Sequence, residues 1–575
     1  MNPRPWTGEF VREALGVQIE TDWSASLLPV EDLVGLALRN NPKRAHLLVS
    51  SVLAKHVPTD PALAMVAGEL LGVLVADCLA PAKGRLDAAG RLAQGLSECL
   101  HDAGPDRSAS ARTLTELRQA LRPWMGRHPD IAAIGYAETA TGLGRLVANA
   151  LGSYYIHSTR HAPEGARSYA AFEEGHSHAT SHRILATDPR RLDNAPAVVL
   201  VDDELSTGST IINTICALHA VRTHPAYVVA TLVDLRTDRD RARLDDLALM
   251  LGTEISVVSL ASGRIHLPED ILPAAQEILS ALPAPHAVAD ANPGSLSFLD
   301  LGTDVIAPIR SDRFGNPSAP PDAVVAAIAK CIGERLRATG GDVPASTLIL
   351  GTEELIYLPM AVAAKLAADC RTLDVKFSTT TRSPIVAISR MDYAAATAVT
   401  FISHDISEDV PGARFAYNLG SAEGTFHTIV LIPEPGTEGL ALSGPGSVSE
   451  ALLTLCRHVV VVLLPDSGPP PAGWTVPATP EAVPRPLRGP DFGSYAPDDV
   501  GWLLKDLGDT PLEAPAAERE HRIQSGLASY AESLPVEYIP SDEYQRLYQV
   551  ALHRSARRMA EAVGIVADLA IAARN

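Results

Sequence analysis

Nine residues near the middle of the chain have the types needed to grip a phosphorylated sugar. Asp202 and Asp203 stand side by side, Glu204 and Leu205 follow, and Ser206, Thr207, Gly208, Ser209 and Thr210 form a run of hydroxyls around one glycine. Paired carboxylates accept hydrogen bonds from vicinal sugar hydroxyls, and a loop of main-chain N–H groups ringed by hydroxyls binds a phosphate. Gly208 allows the backbone to approach such a ligand closely.

A second set lies upstream. The turn GYAETATGLG contains Gly135, Glu138, Thr139, Thr141, Gly142 and Gly144, and its N–H groups would face a diphosphate. Next come YYIHSTRHAP and SYAAFEEGHSHATSHRIL, a polar stretch over 154–185 expected to form a mobile flap, with Arg160 as a fixed cation for a leaving anion. His176, His178 and His182 are spaced too irregularly for a zinc site and have no cysteine nearby, so they read as solvated or hydrogen-bonded side chains.

These residues need elements that hold them. Val198–Val201 reads as a buried strand and IINTICALHAV as a helix, which puts the acids and hydroxyls between them, at the carboxyl end of a parallel strand. There the helix N-terminus points outward at an anion. IAAIG and the helical run after it repeat the arrangement.

A chain of 575 residues is too long for one core. Pro-, Gly- and Ala-rich stretches at 282–296 and 465–490 read as linkers and divide it into 1–281, 297–464 and 491–575. The first two blocks alternate short Val/Ile/Leu runs with Ala/Leu-rich helical stretches, the pattern of an α/β fold with a parallel sheet flanked by helices. The last block is mainly helical. An apolar fraction of 46% with 20% charged residues fits a folded protein. A net charge of −20 and a pI near 5.3 exclude a broad nucleic-acid-binding surface. Six scattered cysteines form no CxxC pair, which argues against a zinc knuckle or disulfide framework and fits the reducing cytoplasm. The N-terminus lacks an apolar signal core, and the late apolar run ALLTLCRHVVVVLLPD is broken by Arg457 and His458, so neither secretion nor membrane spanning is expected.

The segment 198–214 resembles the loop with which type I phosphoribosyltransferases bind phosphoribosyl pyrophosphate (PRPP) with magnesium. Glu204 departs from the aliphatic residue that many members carry there. A narrower resemblance, to tellurite-resistance-operon phosphoribosyltransferases fused to a domain named for Thr-Arg-Ser-Pro, rests on several segments. They are RNNPKRAHLLVSSVLAKHVP (39–58), GYAETATGLG (135–144), HSTR (157–160), EEGHSHAT (173–180), DDELSTGST (202–210) and TTTRSP (379–384). The resemblance implies a type I phosphoribosyltransferase fold and a cytoplasmic glycosyltransferase that makes a nucleotide-like metabolite in a stress-linked pathway from PRPP and an unidentified small-molecule acceptor. In that scheme Asp202 and Asp203 hold the ribose, with Mg²⁺ near them, and Arg160 stabilises pyrophosphate. Ser206–Thr210 and the 135–142 turn bind the phosphates. A homodimer, or association with enzymes of the same operon, is the expected assembly. A PRPP-sensing regulator and a multi-domain scaffold are the rival readings; acidity and the lack of a basic helix-turn-helix count against the first.

The second block echoes the first. LILGTEELIYLPMAVAAKL reads like IAAIGYAETATGLGRLVANAL, DVKFSTTTRSP like SYYIHSTRHAP, and HTIVLIPEPGTEGL like AVVLVDDELSTGST. A second, degenerate phosphoribosyltransferase-like α/β domain is therefore expected. Pro433-Glu434-Pro435 replaces the acidic pair, Pro435 lacks an N–H, and Thr381, Arg382 and Ser383 remain as candidates to hold an anion. The third block resembles the start of a StiP-like, phosphoribosyltransferase-related module through FGSYAPDDVGWLL and EREHRIQSGLASYAESLPVEYIPS; the phosphate loops of that family would lie beyond Asn575.

Overall fold

The computed structural model describes residues 9–40, 45–101, 107–161, 163, 166, 168–174, 177–282, 294–338, 346–370, 372–390, 392–404, 412–421 and 424–467. All belong to one compact unit, Met1–Val476 with Glu520–Glu532; the helical C-terminal segment expected over 491–575 lies outside the described residues.

Two sheets organise this unit. The first contains β1 (Gln18–Thr21), β2 (Ala132–Gly135), β3 (Tyr154–His157), β4 (Ala197–Leu205), β5 (Ala226–Asp234) and β6 (Glu254–His266), in the order β1-β6-β5-β4-β2-β3. All neighbours are parallel except β1, which runs antiparallel on β6. Apolar side chains crowd both faces of β4, as a strand covered by helices on each side requires.

The helices that cover this sheet include α1 (Pro61–Leu79), α2 (Thr141–Leu151) and α3 (Ser209–Val221). Asp60 caps α1 by accepting the Ala62 N–H at 2.9 Å, with Pro61 in the first turn. By length and composition α1 is the one described helix able to cross a membrane, yet most of it is buried in the fold. Gly68 lies directly against Leu146 of α2, and a Cβ there would come within 2.7 Å of the leucine Cβ.

The second sheet holds β7 (Ser295–Asp300), β8 (Ser346–Gly351), β9 (Asp374–Thr379), β10 (Thr428–Ile432) and β11 (His458–Leu463), all parallel, in the order β7-β11-β10-β8-β9. Helices α4 (Asp322–Ala338) and α5 (Tyr357–Asp369) pack on it. The expected echo is thus present in space: β5-β4-β2-β3 of one sheet correspond to β11-β10-β8-β9 of the other. The outer strand differs. In the first sheet it follows β5, whereas in the second it precedes every other strand, so the segment expected as linker contributes Ser295 and Leu296 to β7.

The 154–185 stretch is not simply a flap. Its described part includes a hairpin pairing Ala170–Glu174 with Ser177–Ile184, and Thr159 bridges to Arg183 beside it. The hairpin of Ala398–Ile402 with Ala413–Tyr417 takes the same place on the second sheet, with Thr381 bridged to Phe415.

Candidate functional site

Strand β4 runs further than the Val198–Val201 core of the pattern. Asp202, Glu204 and Leu205 stay in register with Thr231, Val233 and Asp234 of β5, so the acids belong to the strand and the true loop is only Ser206–Gly208. Parallel pairing with β5 overrides the low strand propensity of Asp and Glu. The Asp203 N–H donates to Asp202 Oδ1 at 3.0 Å. Burial, and then the neighbouring Asp203 charge, push the Asp202 carboxyl well above the usual carboxylate range. Tyr136 donates its N–H to Val201 O at 3.1 Å and so brings the 135–142 turn beside these acids.

Gly208 adopts φ +71°, a left-handed conformation that suits glycine, and stands at the N-cap of α3 without a side-chain cap bond. Thr207 Oγ1 and Ser209 Oγ lie 3.1 Å apart, so the loop offers hydroxyls beside the helix N-terminus. Ser206 is exposed, while Thr207, Ser209 and Thr210 are partly exposed.

Four further residues flank the loop. Asp234 at the end of β5 receives Arg236 Nη2 at 2.9 Å and Arg241 Nη1 at 3.0 Å, and Arg243 Nη1 reaches Thr207 O at 3.5 Å. The run LVDLRTDRDRARL carries four arginines directly after a strand. That signal was available in the sequence.

The 135–142 turn faces the second domain. Its Ala137–Glu138 peptide is cis. Glu138 accepts from Thr381 Oγ1 at 2.9 Å and from the Arg382 N–H at 3.1 Å. Thr139 Oγ1 accepts from Lys55 Nζ at 2.7 Å, and Thr141 Oγ1 donates to Glu354 O at 2.8 Å. A Cβ on Gly142 would come within 2.5 Å of Ile356 Cγ2, and Gly135 ends β2 beneath the Tyr155 hydroxyl. The anion held by Thr381 and Arg382 is therefore the carboxylate of Glu138. Ser383 turns its N–H onto Thr381 Oγ1 at 3.0 Å.

The opposite contact has the same form. Glu354 accepts the Arg160 N–H at 3.0 Å and Thr159 Oγ1 at 2.7 Å. Burial would raise its carboxyl, but His161, Arg313, His157 and the Arg160 N–H together bring it down to about 2. Neighbouring Glu353 meets His161 Nε2 at 3.1 Å, Ser403 Oγ at 2.8 Å and Arg414 Nε at 2.7 Å. Arg160 itself is partly exposed. His182 is buried with Nδ1 3.0 Å from Ser158 Oγ; the side chains of His176 and His178 lie outside the described residues.

The second domain's own loop is closed. Glu434 takes Arg313 Nη2 at 3.0 Å, Pro435 has no N–H, and Gly436 spends its N–H on Leu464 O at 2.9 Å. Beside it a small cleft is lined by His157, Arg310, Asp312, Glu354, Tyr357 and Glu434 among others.

Among the described residues no three His, Cys, Asp or Glu side chains converge to hold a metal ion. Asp202 and Asp203 offer hard oxygen donors, which fit a magnesium ion that brings most of its ligands from a diphosphate and water.

Residues 33–264 match the family model described as phosphoribosyl transferase, and 310–445 match the TRSP domain C-terminal to it. Residues 493–575 match the model described as tellurite-like stress resistance cysteine protease StiP, although this stretch contains no cysteine. No curated protein matches the chain. Among solved structures, adenine phosphoribosyltransferase from Giardia lamblia with 9-deazaadenine is 18% identical over 28% of this chain and 84% of its own, with a TM-score of 0.18. The Trypanosoma brucei enzyme with AMP, pyrophosphate and ribose-5-phosphate is 14% identical over 27% and 68%, with a TM-score of 0.18. The Saccharomyces cerevisiae enzyme is 16% identical over 27% and 81%, with a TM-score of 0.17.

Proposed function

Starting from a chain that joins a phosphoribosyltransferase domain, a TRSP domain and a StiP-like segment, we propose that its first domain, residues 1–281, transfers the phosphoribosyl group of PRPP to a small-molecule acceptor. The product is a nucleotide-like metabolite in a tellurite-type stress pathway of the cytoplasm. The second domain, 297–464, is a partner without turnover of its own.

One observation carries the reading: two carboxylates near the end of a parallel strand, followed five residues after Asp203 by a left-handed glycine and a helix N-terminus with no side-chain cap. Main-chain N–H groups of 207–210 and the hydroxyls of Ser206, Thr207, Ser209 and Thr210 would take the 5′-phosphate. Asp202 and Asp203 accept the ribose hydroxyls. As the bond from C1 to the diphosphate oxygen lengthens, positive charge grows on the sugar and negative charge on the leaving group. The carboxylates favour the first and Arg160, with the N–H groups of the 135–142 turn, the second. Magnesium, when bound with PRPP, adds charge neutralisation on the diphosphate.

The test is incubation of the full chain with PRPP, magnesium and a metabolite extract, followed by mass spectrometry and a pyrophosphate assay. A new phosphoribosyl adduct with stoichiometric pyrophosphate supports the proposal. Tight PRPP binding without pyrophosphate release under any acceptor would make the protein a sensor instead.

A further inference from the structure

The two domains touch through a reciprocal pair of contacts. Glu138 stands three residues after Gly135 at the end of β2, and Glu354 three residues after Gly351 at the end of β8. Each carboxylate reaches across the interface to the same element of the other domain. Glu138 takes the Thr381 hydroxyl and the Arg382 N–H, while Glu354 takes the Thr159 hydroxyl and the Arg160 N–H. The strands that lead to these loops are also bridged in matching ways, Tyr155 to Asn316 and Phe377 to Thr59.

The internal echo is uneven in an informative manner. The parts of the second domain that face a ligand in the first have been lost: Glu434 is tied to Arg313, Pro435 removes a donor, and Gly436 is bonded to Leu464. The parts that face the other domain remain, namely the Gly351–Tyr357 turn and Thr380–Arg382. A fold that retains its partner-facing elements without its ligand-facing ones is suited to holding its neighbour in place.

We propose that the second domain is a fixed positioning partner for the first, with Glu354 holding the Thr159–Arg160 backbone in the conformation that presents Arg160 to the diphosphate. The proposal rests on the reading of the first domain as a PRPP site. Glu354 contacts no ligand in this scheme; it acts through the loop that does. Its charge persists at neutral pH, because burial, which opposes it, is outweighed by His161, Arg313, His157 and the Arg160 N–H beside it.

Calorimetric titration of the full chain with two ligands in magnesium buffer separates the possibilities. Ribose 5-phosphate contacts the 202–210 region alone, whereas PRPP also needs Arg160. Glu354→Ala is expected to weaken PRPP binding about tenfold or more while ribose 5-phosphate stays within about twofold. Glu354→Gln, which keeps an acceptor for the Arg160 N–H, is expected to restore most of the PRPP affinity. An equal loss for both ligands, or no loss for either, overturns the positioning role. Should Glu354→Ala not fold, Thr159→Val withdraws one of the two bonds and must show the same selectivity at smaller size; a non-selective effect overturns the proposal. Asp203→Asn is the control for the underlying reading. If it leaves both ligands bound as in the wild type, the PRPP site is wrong, whatever Glu354 does.

Discussion

Arg145, whose side chain is fully buried in α2 of the first domain, is gripped by Asp312 of the second, with Nε donating to Oδ2 at 2.9 Å and Nη2 to Oδ1. The guanidinium also lies 4.4 Å from the Tyr155 ring centroid. Removing only the carboxylate leaves a buried charge without its partner. Asp312→Ala is therefore expected to destabilise the protein by about 3 kcal/mol. Arg145→Met combined with Asp312→Leu should recover most of that loss. Urea unfolding of the three chains decides it; an Asp312→Ala chain as stable as the wild type would show the pair to be incidental.

Asp203→Asn preserves shape and removes charge. Magnesium-dependent PRPP binding is expected to weaken well over tenfold, more than about 1.4 kcal/mol. Unchanged affinity by calorimetry would count against the ribose-holding role of the acidic pair.

Glu354 predicts an acid sensitivity. Its carboxyl lies at about 2 in the folded protein against an ordinary value of 4.5, so between those values the unfolded chain binds more protons. The stabilisation is complete above pH 4.5 and is lost as pH falls toward 2. A shift of this size is worth roughly 3 kcal/mol. In denaturant melts from pH 6 to pH 3, the wild type should lose its lead over Glu354→Gln. Parallel curves for the two chains would assign the acid sensitivity to other groups.

Gly142→Ala is expected to cost about 1–3 kcal/mol, because the new methyl meets Ile356 Cγ2 at 2.5 Å. Ile356→Ala in the same chain makes room for it. The two substitutions should then be non-additive by about 1 kcal/mol or more. Strict additivity would mean that the two residues do not share the contact.

Much of the first domain was legible because its chemistry is local. Val198–Thr210 reads as strand, acids, hydroxyls and helix within one short run, and the glycine at 208 occupies a left-handed position between strand and helix. The echo was legible for the same reason, since Gly351–Tyr357 and Thr379–Pro384 repeat local patterns. What escaped depends on partners far along the chain. Glu138, Thr141 and Gly142 read as ligand-facing, yet their neighbours are residues of the second domain more than 200 positions away. The extension of β4 through Leu205 required knowledge of its register on β5. Arg236, Arg241 and Arg243 were visible as a basic run, but only Asp234 and Thr207 give that run a place.

The outer strand of the second sheet has a consequence for biosynthesis. Ser295–Asp300 leaves the ribosome first but must wait for His458–Leu463 before it has a neighbour to pair with. At about 5–20 residues per second the delay is roughly 8 to 30 s. For that interval the nascent polypeptide carries an unpaired apolar edge, and a chaperone that shields such edges would raise the yield of native chains.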